Sequence, residues 1–527
     1  MTDTSTAPFY ATRSPSCIAT DGKPGRGAFS GADYGAGELI ISKRRPTIAS
    51  LDTERLQDTC ANCYTWTEGS SIGSRLYVKE GVSVQACGGC KRFRYCSKTC
   101  QKEAWYRGHK YECKALKQVI DKPMPKAVLA TMELLIRRKH GLVTDAEWAA
   151  FGLAESHIDD FKQTGQYSGI ELMAMGVSQF SWTQDVFSKD LVAAMYAKVL
   201  TNSLTLITPT LDPLGIVFDA SLSVINHSCD PNACIMMDGP EISLRTLKPI
   251  KKDEEIFISY IDTTNPYPRR QSELKSRWFF TCRCSKCLKG PVLLEDQWIS
   301  QPNEIDGKWK DLADKFIGTE EWATDPANYV GDEPDQKRIA AIQGHAFAQY
   351  EEEQGTPEPA EAIKVIKDAM RMCYQSKLWP VYRQPYAALR DDLIVNMLAV
   401  GDYQGAWQQC AKRYWHILPK LHPRAFHPVR VVQVWQSAML AYYLQAEGGM
   451  AGADVAPIAL LLVMEVMNAA PLSHGKDSTF ARSVEKKFGE MVLDMQAGAG
   501  GDIHQELSER MPQTREQFKE MATWSEY

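Results

Sequence analysis

The stretch Asn226–Asn232, which reads NHSCDPN, decides how this chain is assigned to a fold. It follows the apolar pair Val224-Ile225, and by composition alone it is a polar turn, because Asp230-Pro231 is a turn signal. Cys229 lies at its centre, and three further cysteines follow between Cys282 and Cys287. The spacing of the cysteines therefore bears on what this turn does.

Fifteen cysteines occur among the 527 residues, and seven of them lie in residues 60–113. Together with a histidine they form four closely spaced pairs: Cys60 with Cys63, Cys87 with Cys90, Cys96 with Cys100, and His109 with Cys113. Spacers of two or three residues let both side chains of a pair reach one ion, and eight ligands suffice for two tetrahedral zinc sites. Buried free cysteines, the alternative, would not produce four such spacings in one short segment. The sequence therefore predicts structural zinc.

The composition excludes several classes of protein. Hydrophobic residues make up 44% of the chain and charged residues 24%, which excludes global disorder and fibrous folds. A formal net charge of −5 argues against a globally basic nucleic-acid coat. Residues 1–10 lack a signal-peptide pattern, and the longest apolar run, residues 456–464, is short of the roughly 20 residues of a membrane helix. We expect a cytoplasmic and nuclear protein, in which clustered reduced cysteines favour metal binding over disulfides.

The remaining patterns predict an α+β protein of several domains. Short strand patterns occur at Glu38–Ser42, Val217-Phe218, Ile242–Leu244 and Glu255–Tyr260, whereas residues 127–204 have helical periodicity. Beyond about Asp306, amphipathic helices follow one another at Arg338–Glu352, Pro359–Met372, Tyr386–Ala399, Tyr403–His416, Pro428–Gln445 and Ala456–Asn468. Helix pairs of this length predict a tetratricopeptide-like array, and a plain helical bundle is the open alternative.

Several of these motifs resemble parts of one known family. Asn226–Asn232 resembles the Asn-His-Ser-Cys-x-Pro-Asn signature of SET-domain lysine methyltransferases. Gly25–Gly27 resembles the N-terminal glycine loop of that domain, Asp253–Tyr260 resembles the strand that ends in its active-site tyrosine, and Trp278–Cys287 resembles its post-SET tail. The pattern of residues 60–113 resembles a MYND zinc finger. A MYND finger inserted into a SET domain is the layout of the SMYD family.

The resemblance implies a fold of six segments: residues 1–55 as the N-terminal part of a β-rich SET domain, 56–115 as the MYND finger, 116–204 as a helical insert, 205–265 as the core SET domain, 266–290 as a zinc-binding post-SET tail, and 300–527 as an all-α, tetratricopeptide-like C-terminal domain. His427–Val434 resembles a stretch of the family's helical domain, so the resemblance extends through nearly the whole chain. One departure is the 23-residue spacer between Cys63 and Cys87, which we interpret as a surface insertion.

The resemblance also implies how the metal ligands are shared among three structural zinc ions. The first site would use Cys60, Cys63, Cys96 and Cys100, and the second would use Cys87, Cys90, His109 and Cys113. The third would use Cys282, Cys284 and Cys287 with Cys229 as the fourth ligand that a tetrahedral ion requires. Cys17, Cys234, Cys373 and Cys410 then remain ordinary thiols.

The expected cofactor is S-adenosylmethionine. By resemblance, its binding residues would be Gly25, Arg26, Gly27, Asn202, Ser223, Asn226, His227, Tyr260 and Phe280. Tyr260 would be the catalytic residue that orients the lysine amine, and the substrate channel would be lined by Tyr260, Trp278 and Phe280. Trp278 stands where the family usually has a tyrosine, and this departure could change the channel or the number of methyl groups added.

The implied function is S-adenosylmethionine-dependent protein-lysine N-methylation of histone or non-histone proteins. The alternative is a non-catalytic adaptor whose finger and helical domain bind partner proteins. The expected partner is a protein or peptide with a target lysine, and the finger is expected to accept proline-rich peptides. Basic residues of the finger would allow weak nucleic-acid contact, with a solvated charged face as the competing interpretation. We expect a monomer without membrane association.

Overall fold

The computed structural model describes residues 8–18, 24–67, 81–120, 122–298, 333–449, 454–498 and 503–527. These residues fall into two compact units: Met1–Ile258 with Arg277–Phe280, and Ser259–Ser276 with Thr281–Tyr527. Residues 68–80 of the predicted finger insertion and residues 300–332 at the start of the predicted helical domain lie outside the described part of the chain.

The β structure of the first unit consists of short strands in small sheets. Their bounds are β1 Phe9–Ile18, β2 Pro24–Ser30, β3 Leu39–Lys43, β4 Ile48–Leu51, β5 Gln85–Ala86, β6 Arg94–Tyr95, β7 Leu204–Ile207, β8 Pro213–Phe218, β9 Asn226–His227, β10 Ala233–Asp238, β11 Glu241–Thr246 and β12 Glu255–Ile258. The sheet orders are β1-β2-β12-β9, β10-β11-β3, β4-β8-β7 and β5-β6. Neighbours are antiparallel except for β12 and β9, which are parallel.

Three of the seven helices described in the first unit begin at polar caps. Their bounds are α1 Lys98–Ala104, α2 Lys110–Lys117, α3 Lys126–Lys139, α4 Asp145–Gly152, α5 Ile158–Gln163, α6 Tyr167–Ser181 and α7 Lys189–Asn202. The side chains of Ser97, Thr144 and Ser188 accept hydrogen bonds from backbone N–H groups in the first turns of α1, α4 and α7, which would otherwise lack partners. Residues Trp105–His109 separate α1 from α2, and the chain kinks there at Gly108 (φ 156°, ψ −19°).

Helix α3 joins the finger, the helical insert and the SET strands into one core. It packs against α6, α7, β4 and β8, and its apolar residues are buried along most of its length. Val128 and Leu135 of this helix share a continuous buried cluster with Cys90 of the finger, Val199 of α7 and Phe218 of β8. The finger is therefore packed against the SET strands through a shared helix.

The second unit is helical. The bounds of its helices are α8 Tyr267–Trp278, whose last two residues belong to the first unit, then α9 Glu333–Gln354, α10 Pro359–Gln375, α11 Tyr386–Val400, α12 Tyr403–Lys412, α13 Leu418–Leu421, α14 Pro428–Ala446, α15 Ala456–Ala470, α16 Thr479–Gly498 and α17 Ile503–Met521. Several consecutive helices, such as α10 and α11 or α14 and α15, pack against each other, as in a helical array. The tetratricopeptide-like type of the array stays a prediction.

Helix α15 continues through a π-helical turn to Gly475 and is long and apolar enough to span a membrane by length and composition alone. Most of that stretch is buried inside the helical unit, as in the core helix of many helical proteins. Glu465, which ends the apolar run of the sequence, is accommodated because its carboxylate accepts a hydrogen bond from Tyr414 (2.6 Å) and pairs with Arg430 (3.4 Å).

The predicted α+β class, with a β-rich first part and a helical C-terminal region, is confirmed. One local expectation is wrong, because Gly25–Gly27 lies in strand β2 and not in a loop. The sequence of this segment is rich in glycine, but pairing with β1 on one side and β12 on the other holds it extended. The six predicted segment boundaries stay predictions.

Candidate active site and zinc centres

The first predicted zinc site is assembled from a knuckle and the start of a helix. Cys60 and Cys63 flank a turn, and Cys96 and Cys100 lie at the beginning of α1. The ligand sulfurs lie within 4.8 Å of one another, with 3.6 Å from Cys63 to Cys96 and 3.6 Å from Cys96 to Cys100. Tetrahedral zinc with bonds of about 2.3 Å requires sulfur separations of about 3.8 Å. The four thiols therefore fit one zinc ion.

The second predicted site is equally converged. The Nε2 atom of His109 lies 3.4 Å from Cys87 Sγ and 3.7 Å from Cys90 Sγ, and Cys113 Sγ lies 3.9 Å from Cys87 Sγ. A Cβ atom at Gly89 would lie 2.6 Å from Cys113 Sγ, so this knuckle accepts only glycine. His109 caps α2 and Cys113 lies four residues later on it, so both side chains are on one face of the helix and reach the same point. The donor set again fits zinc.

A carboxylate stands behind the histidine of the second site. The Oε2 atom of Glu112 lies 3.8 Å from His109 Nδ1, and its Oε1 atom accepts a hydrogen bond from Arg137 Nε at 3.1 Å. Arg137 also donates to the backbone carbonyl of Thr47, just before β4 (2.9 Å). Carboxylates that face a ligand histidine orient its ring towards the metal. No sequence pattern singles out Glu112, because acidic residues are common in helices.

The third predicted ligand set is divided between the two units. The sulfurs of Cys282, Cys284 and Cys287, in the second unit, lie within 4.8 Å of one another, whereas Cys229 belongs to the first unit. The first two predicted clusters can thus hold zinc, and three cysteines of the third are converged as a zinc site requires, with Cys229 as the predicted fourth ligand. Of the four other cysteines, Cys373 and Cys410 are buried thiols in the helical unit, as expected of ordinary thiols, and burial raises the pKa of Cys410 above its usual value.

The signature Asn226–Asn232 is fixed to strand β12 at both ends. Asn226 and His227 pair in parallel with Phe257 and Ile258, and the Ser228 N–H donates to the Ile258 carbonyl at 3.0 Å. The buried amide of Asn232 donates to the Glu255 carbonyl (2.9 Å) and accepts from the Phe257 N–H (2.8 Å). Asn232 therefore holds the strand that precedes Tyr260, a positional role that the resemblance alone does not assign.

Asn226 and Gly27 meet in a polar network. The sequence predicted these two residues as part of the site, but not Ser14 and Glu255, which complete the network. The Nδ2 group of Asn226 donates to the Arg26 carbonyl (2.9 Å) and to Glu255 (2.8 Å), whose carboxylate also accepts from Ser14. A Cβ atom at Gly27 would lie 2.2 Å from the Glu255 carboxylate and 3.0 Å from Asn226 Nδ2. Glycine is therefore required here so that Asn226 can approach strand β2. Ser14 and Glu255 are 241 residues apart, and nothing local in the sequence links them.

The turn before the signature depends on Asp219. Its buried carboxylate accepts from Lys43 Nζ (2.6 and 2.8 Å) and from Ser221 Oγ (2.6 Å). Burial by itself would raise the pKa of Asp219, but these hydrogen bonds and the charge of Lys43 hold the pKa below its usual value. The turn carries Ser223, whose hydroxyl donates to the Ala220 carbonyl at 3.1 Å.

Of the predicted aromatic residues, Trp278 lies near the end of helix α7 and Phe280 lies near His227. The indole N–H of Trp278 donates to the Thr201 carbonyl at 2.9 Å, so this departure from the family pattern is anchored to the backbone beside Asn202. The amide of Asn202 donates to the carbonyls of Glu155 (2.8 Å) and Lys198 (2.9 Å). The ring centroid of Phe280 lies 6.1 Å from that of His227. Phe280 is therefore placed beside the signature.

Tyr260 follows β12 by two residues and is half-buried. The hydroxyl of the adjacent Ser259 donates to the Ile261 carbonyl (2.6 Å), which fixes a tight turn around Tyr260. The cofactor, channel and catalytic roles of the predicted residues stay predictions. The described contacts bring Arg26, Gly27 and Asn226 together, with His227 and Phe280 beside them, whereas Ser223 and Asn202 make their described bonds to nearby backbone.

Comparison with known proteins agrees with this arrangement. The family model "SET domain" matches residues 25–261. The chain is 32% identical over 296 residues to the "SET domain and MYND-type zinc finger protein 6" of Schizosaccharomyces pombe, which covers 55% of this chain and 56% of that protein. It is 30% identical to the human "Histone-lysine N-methyltransferase SMYD3" over 49% of this chain and 60% of that protein, and 28% identical to "Histone-lysine N-methyltransferase ASHR1" of Arabidopsis thaliana over 51% and 55%.

The chain thus spans somewhat more than half the length of the curated relatives that it matches. These matches do not test the predicted extension of the resemblance through the whole chain. Residues 25–261 form a SET domain, and the resemblance of this chain to the SMYD family, predicted from its sequence, is confirmed over about half of its length.

Proposed function

We propose that this chain is an S-adenosylmethionine-dependent protein-lysine N-methyltransferase. The observation that carries the proposal is the arrangement of the SET signature, in which Asn226 and His227 pair with strand β12 while the amide of Asn226 is bonded to strand β2. The names of relatives such as the "N-lysine methyltransferase SMYD2" of Homo sapiens, 30% identical over 53% of this chain, support the same reaction.

The residues fit the amino-acid end of the cofactor. Two Asn226 Nδ2 bonds, to Arg26 and Glu255, turn the amide so that its oxygen is left as an acceptor for an ammonium group. The side chain of Arg26, on strand β2, is exposed and is suited to binding the carboxylate group of the cofactor. We expect Gly25–Gly27, Asn226 and His227 to hold the cofactor, with Phe280 against its adenine, and Asn202 and Ser223 to complete the site. Bound S-adenosylmethionine supplies a methyl group on a sulfonium sulfur.

In the proposed mechanism the chain delivers a neutral, aligned lysine amine. A lysine in water has a pKa of about 10.4, so most of it carries a proton at neutral pH. A narrow channel lined by Tyr260, Trp278 and Phe280 would disfavour the charged form through burial. The Tyr260 hydroxyl would then orient the amine for in-line attack, and a fixed near-attack geometry lowers the entropic part of the barrier. All three zinc ions would be structural.

The substrate is proposed to be a protein with a target lysine, of histone or non-histone origin. Binding of proline-rich peptides by the finger, a monomeric state and a cytoplasmic and nuclear location are further parts of the proposal. Weak nucleic-acid contact would use the exposed Lys91, Lys98, Lys102 and Lys110. Two other basic residues of the finger are turned inwards, because Arg92 bonds to the carbonyls of Val119 and Lys122 and Arg107 bonds to Asn62.

The proposed catalytic role of Tyr260 is tested by removal of its hydroxyl group. We expect Tyr260→Phe to lower methyl transfer to lysines of a cell extract by about 100-fold or more, because an oriented hydrogen bond is lost at the reacting amine. Its affinity for S-adenosylmethionine, measured by calorimetry, should stay within about threefold of the original protein. Tyr34→Phe, which removes a long hydrogen bond to Pro8, is the matched control and should keep full activity.

Two results separate the parts of the proposal. A zinc-loaded protein that does not bind S-adenosylmethionine would refute the enzyme and leave the adaptor as the function. Full activity of Tyr260→Phe would keep the enzyme but remove Tyr260 from its catalytic role. The indole N–H of Trp278 donates to the Thr201 carbonyl. Tryptophan at this position, where the family usually has tyrosine, therefore does not favour the adaptor.

A further inference from the structure

A small polar cavity lies where the finger meets the SET strands and helix α3, all within the first unit. Its volume is about 30 Å³, enough for one or two water molecules. Its lining includes Tyr64 and Arg107 of the finger, Arg45 before strand β4, and Glu133 and Arg137 of helix α3. His109 and Glu112 also line it, so the cavity borders the second zinc site, whereas the proposed methyl transfer makes no use of it.

Two guanidinium groups at this cavity share one neutral acceptor. Arg107 Nη1 and Arg45 Nη2 both donate to the amide oxygen of Asn62, the latter at 3.5 Å, and Arg45 Nη1 donates to the Tyr64 hydroxyl at 3.3 Å. In the part of the chain that the structure describes, neither arginine has an ion pair with a carboxylate, although Arg137 beside them has two. Each guanidinium offers five N–H donors, so several donors of Arg45 and Arg107 are left for another acceptor.

The charge balance of the cavity is positive. Three guanidinium groups line it, those of Arg45, Arg107 and Arg137, against the two carboxylates of Glu112 and Glu133. Arg137 is already compensated by Glu112 and Glu133. The two half-buried arginines therefore lack an anion.

We propose that Arg45 and Arg107 form an oxyanion site at the junction of finger and SET domain, which takes one or two oxygens of a phosphate group into the cavity. The planar guanidinium is the side chain best suited to bidentate binding of such a group, and the Tyr64 hydroxyl would complete the site. The half-buried positions of both arginines leave the cavity open to solvent. The phosphate could be a free ion or a monoester on a side chain, since both present the same oxygens.

The test is calorimetric titration of the zinc-loaded protein with sodium phosphate at constant ionic strength. Arg45→Gln and Arg107→Gln should each weaken phosphate binding by about tenfold or more, because each removes a charge-assisted hydrogen bond. Lys102→Gln, which removes an exposed charge of the same finger, is the matched control and should change binding by less than about twofold. Glu133→Gln should strengthen binding, because it removes the carboxylate that competes for the cavity.

Glu133→Gln should strengthen phosphate binding, whereas the two arginine variants should weaken it. A cluster with a purely structural role would not give opposite changes in affinity. Zinc content and circular dichroism identify any variant that fails to fold, and the original protein and Glu133→Gln then still test the proposal. Absence of saturable phosphate binding by the original protein at millimolar concentration would overturn the proposal. So would arginine variants that bind as well as Lys102→Gln. Titration with O-phosphoserine tells the sources apart, since binding at least as tight as inorganic phosphate indicates a monoester.

Discussion

The zinc finger and the helical unit bury different kinds of residue, and this difference predicts how each one fails. In the finger, ligand side chains such as Cys60, Cys90 and His109 are among the most buried groups. In the helical unit the fully buried residues are mostly apolar, for example Trp407 and Leu460. A segment of some 50 residues has little apolar surface to bury, so metal bonds take over the role of a core. The stability of the finger should therefore depend on bound zinc, and the stability of the helical unit on the packing of apolar side chains.

Zinc removal should give the largest effect and tests the comparison directly. Structural zinc contributes about 10–16 kcal/mol of apparent binding free energy in small fingers. We expect a strong chelator to abolish hydrogen-exchange protection in residues 85–117, while residues 428–446 of α14 and 456–470 of α15 keep theirs. Persistent protection of the finger in metal-free protein would show that its packing against α3 suffices.

Truncation of the helical core should give the next largest effect and leave the metal in place. Trp407 is fully buried, stacks on Phe518 at a centroid distance of 5.4 Å, and donates to the Met521 sulfur. Trp407→Ala should lower the free energy of unfolding of the helical unit by about 3–5 kcal/mol, because a large cavity is left. Thermal denaturation followed by circular dichroism measures the loss. Trp524→Ala, at a partly exposed site, should cost much less, and zinc content should be unchanged in both variants.

The turn at Asp219 tests how much a polar network in the SET strands contributes to stability, compared with the metal sites and the helical core. Asp219→Asn should lower the free energy of unfolding by about 3 kcal/mol, because Lys43 loses its charged partner. The folded-state pKa of Asp219 is lowered, so the stabilisation is present above its unfolded pKa of about 3.9 and is lost only as the pH falls below that value.

A double-mutant cycle of Lys43→Met and Asp219→Asn measures the coupling between the two side chains. The coupling energy should be the same at about pH 6 and pH 8, because both values lie above the range in which Asp219 titrates. A coupling that falls between these values would contradict the direction of the shift. Zinc stays bound over this range, so the metal sites do not obscure the result.

The comparison also explains what the sequence could predict. The zinc ligands are spaced by two or three residues, and the helices repeat apolar residues every three or four, so both patterns are local. All six predicted C-terminal helices lie within or overlap observed ones, from α9 to α15. Strand β2 was missed because its glycines are typical of a turn, whereas pairing with β1, and with β12 more than 200 residues away, holds it extended. The bond of Ser14 to Glu255 and the shared acceptor of Arg45 and Arg107 were missed because no local pattern links residues that meet only in the folded chain.

The smallest expected effect concerns a single side chain behind the second zinc. Glu112 faces His109 Nδ1 and is held by Arg137, and loss of such an outer carboxylate typically weakens metal binding about 10- to 100-fold. We expect Glu112→Gln to speed zinc transfer from this site to a chromophoric chelator, while the first site releases its ion at the original rate. Glu103→Gln is the matched control, because Glu103 accepts a hydrogen bond from Asn62 of the first knuckle and has no described contact with His109. Equal acceleration at both sites would mean that Glu112 stabilises the finger as a whole, and the finger would then resemble the helical unit more than its buried thiols suggest.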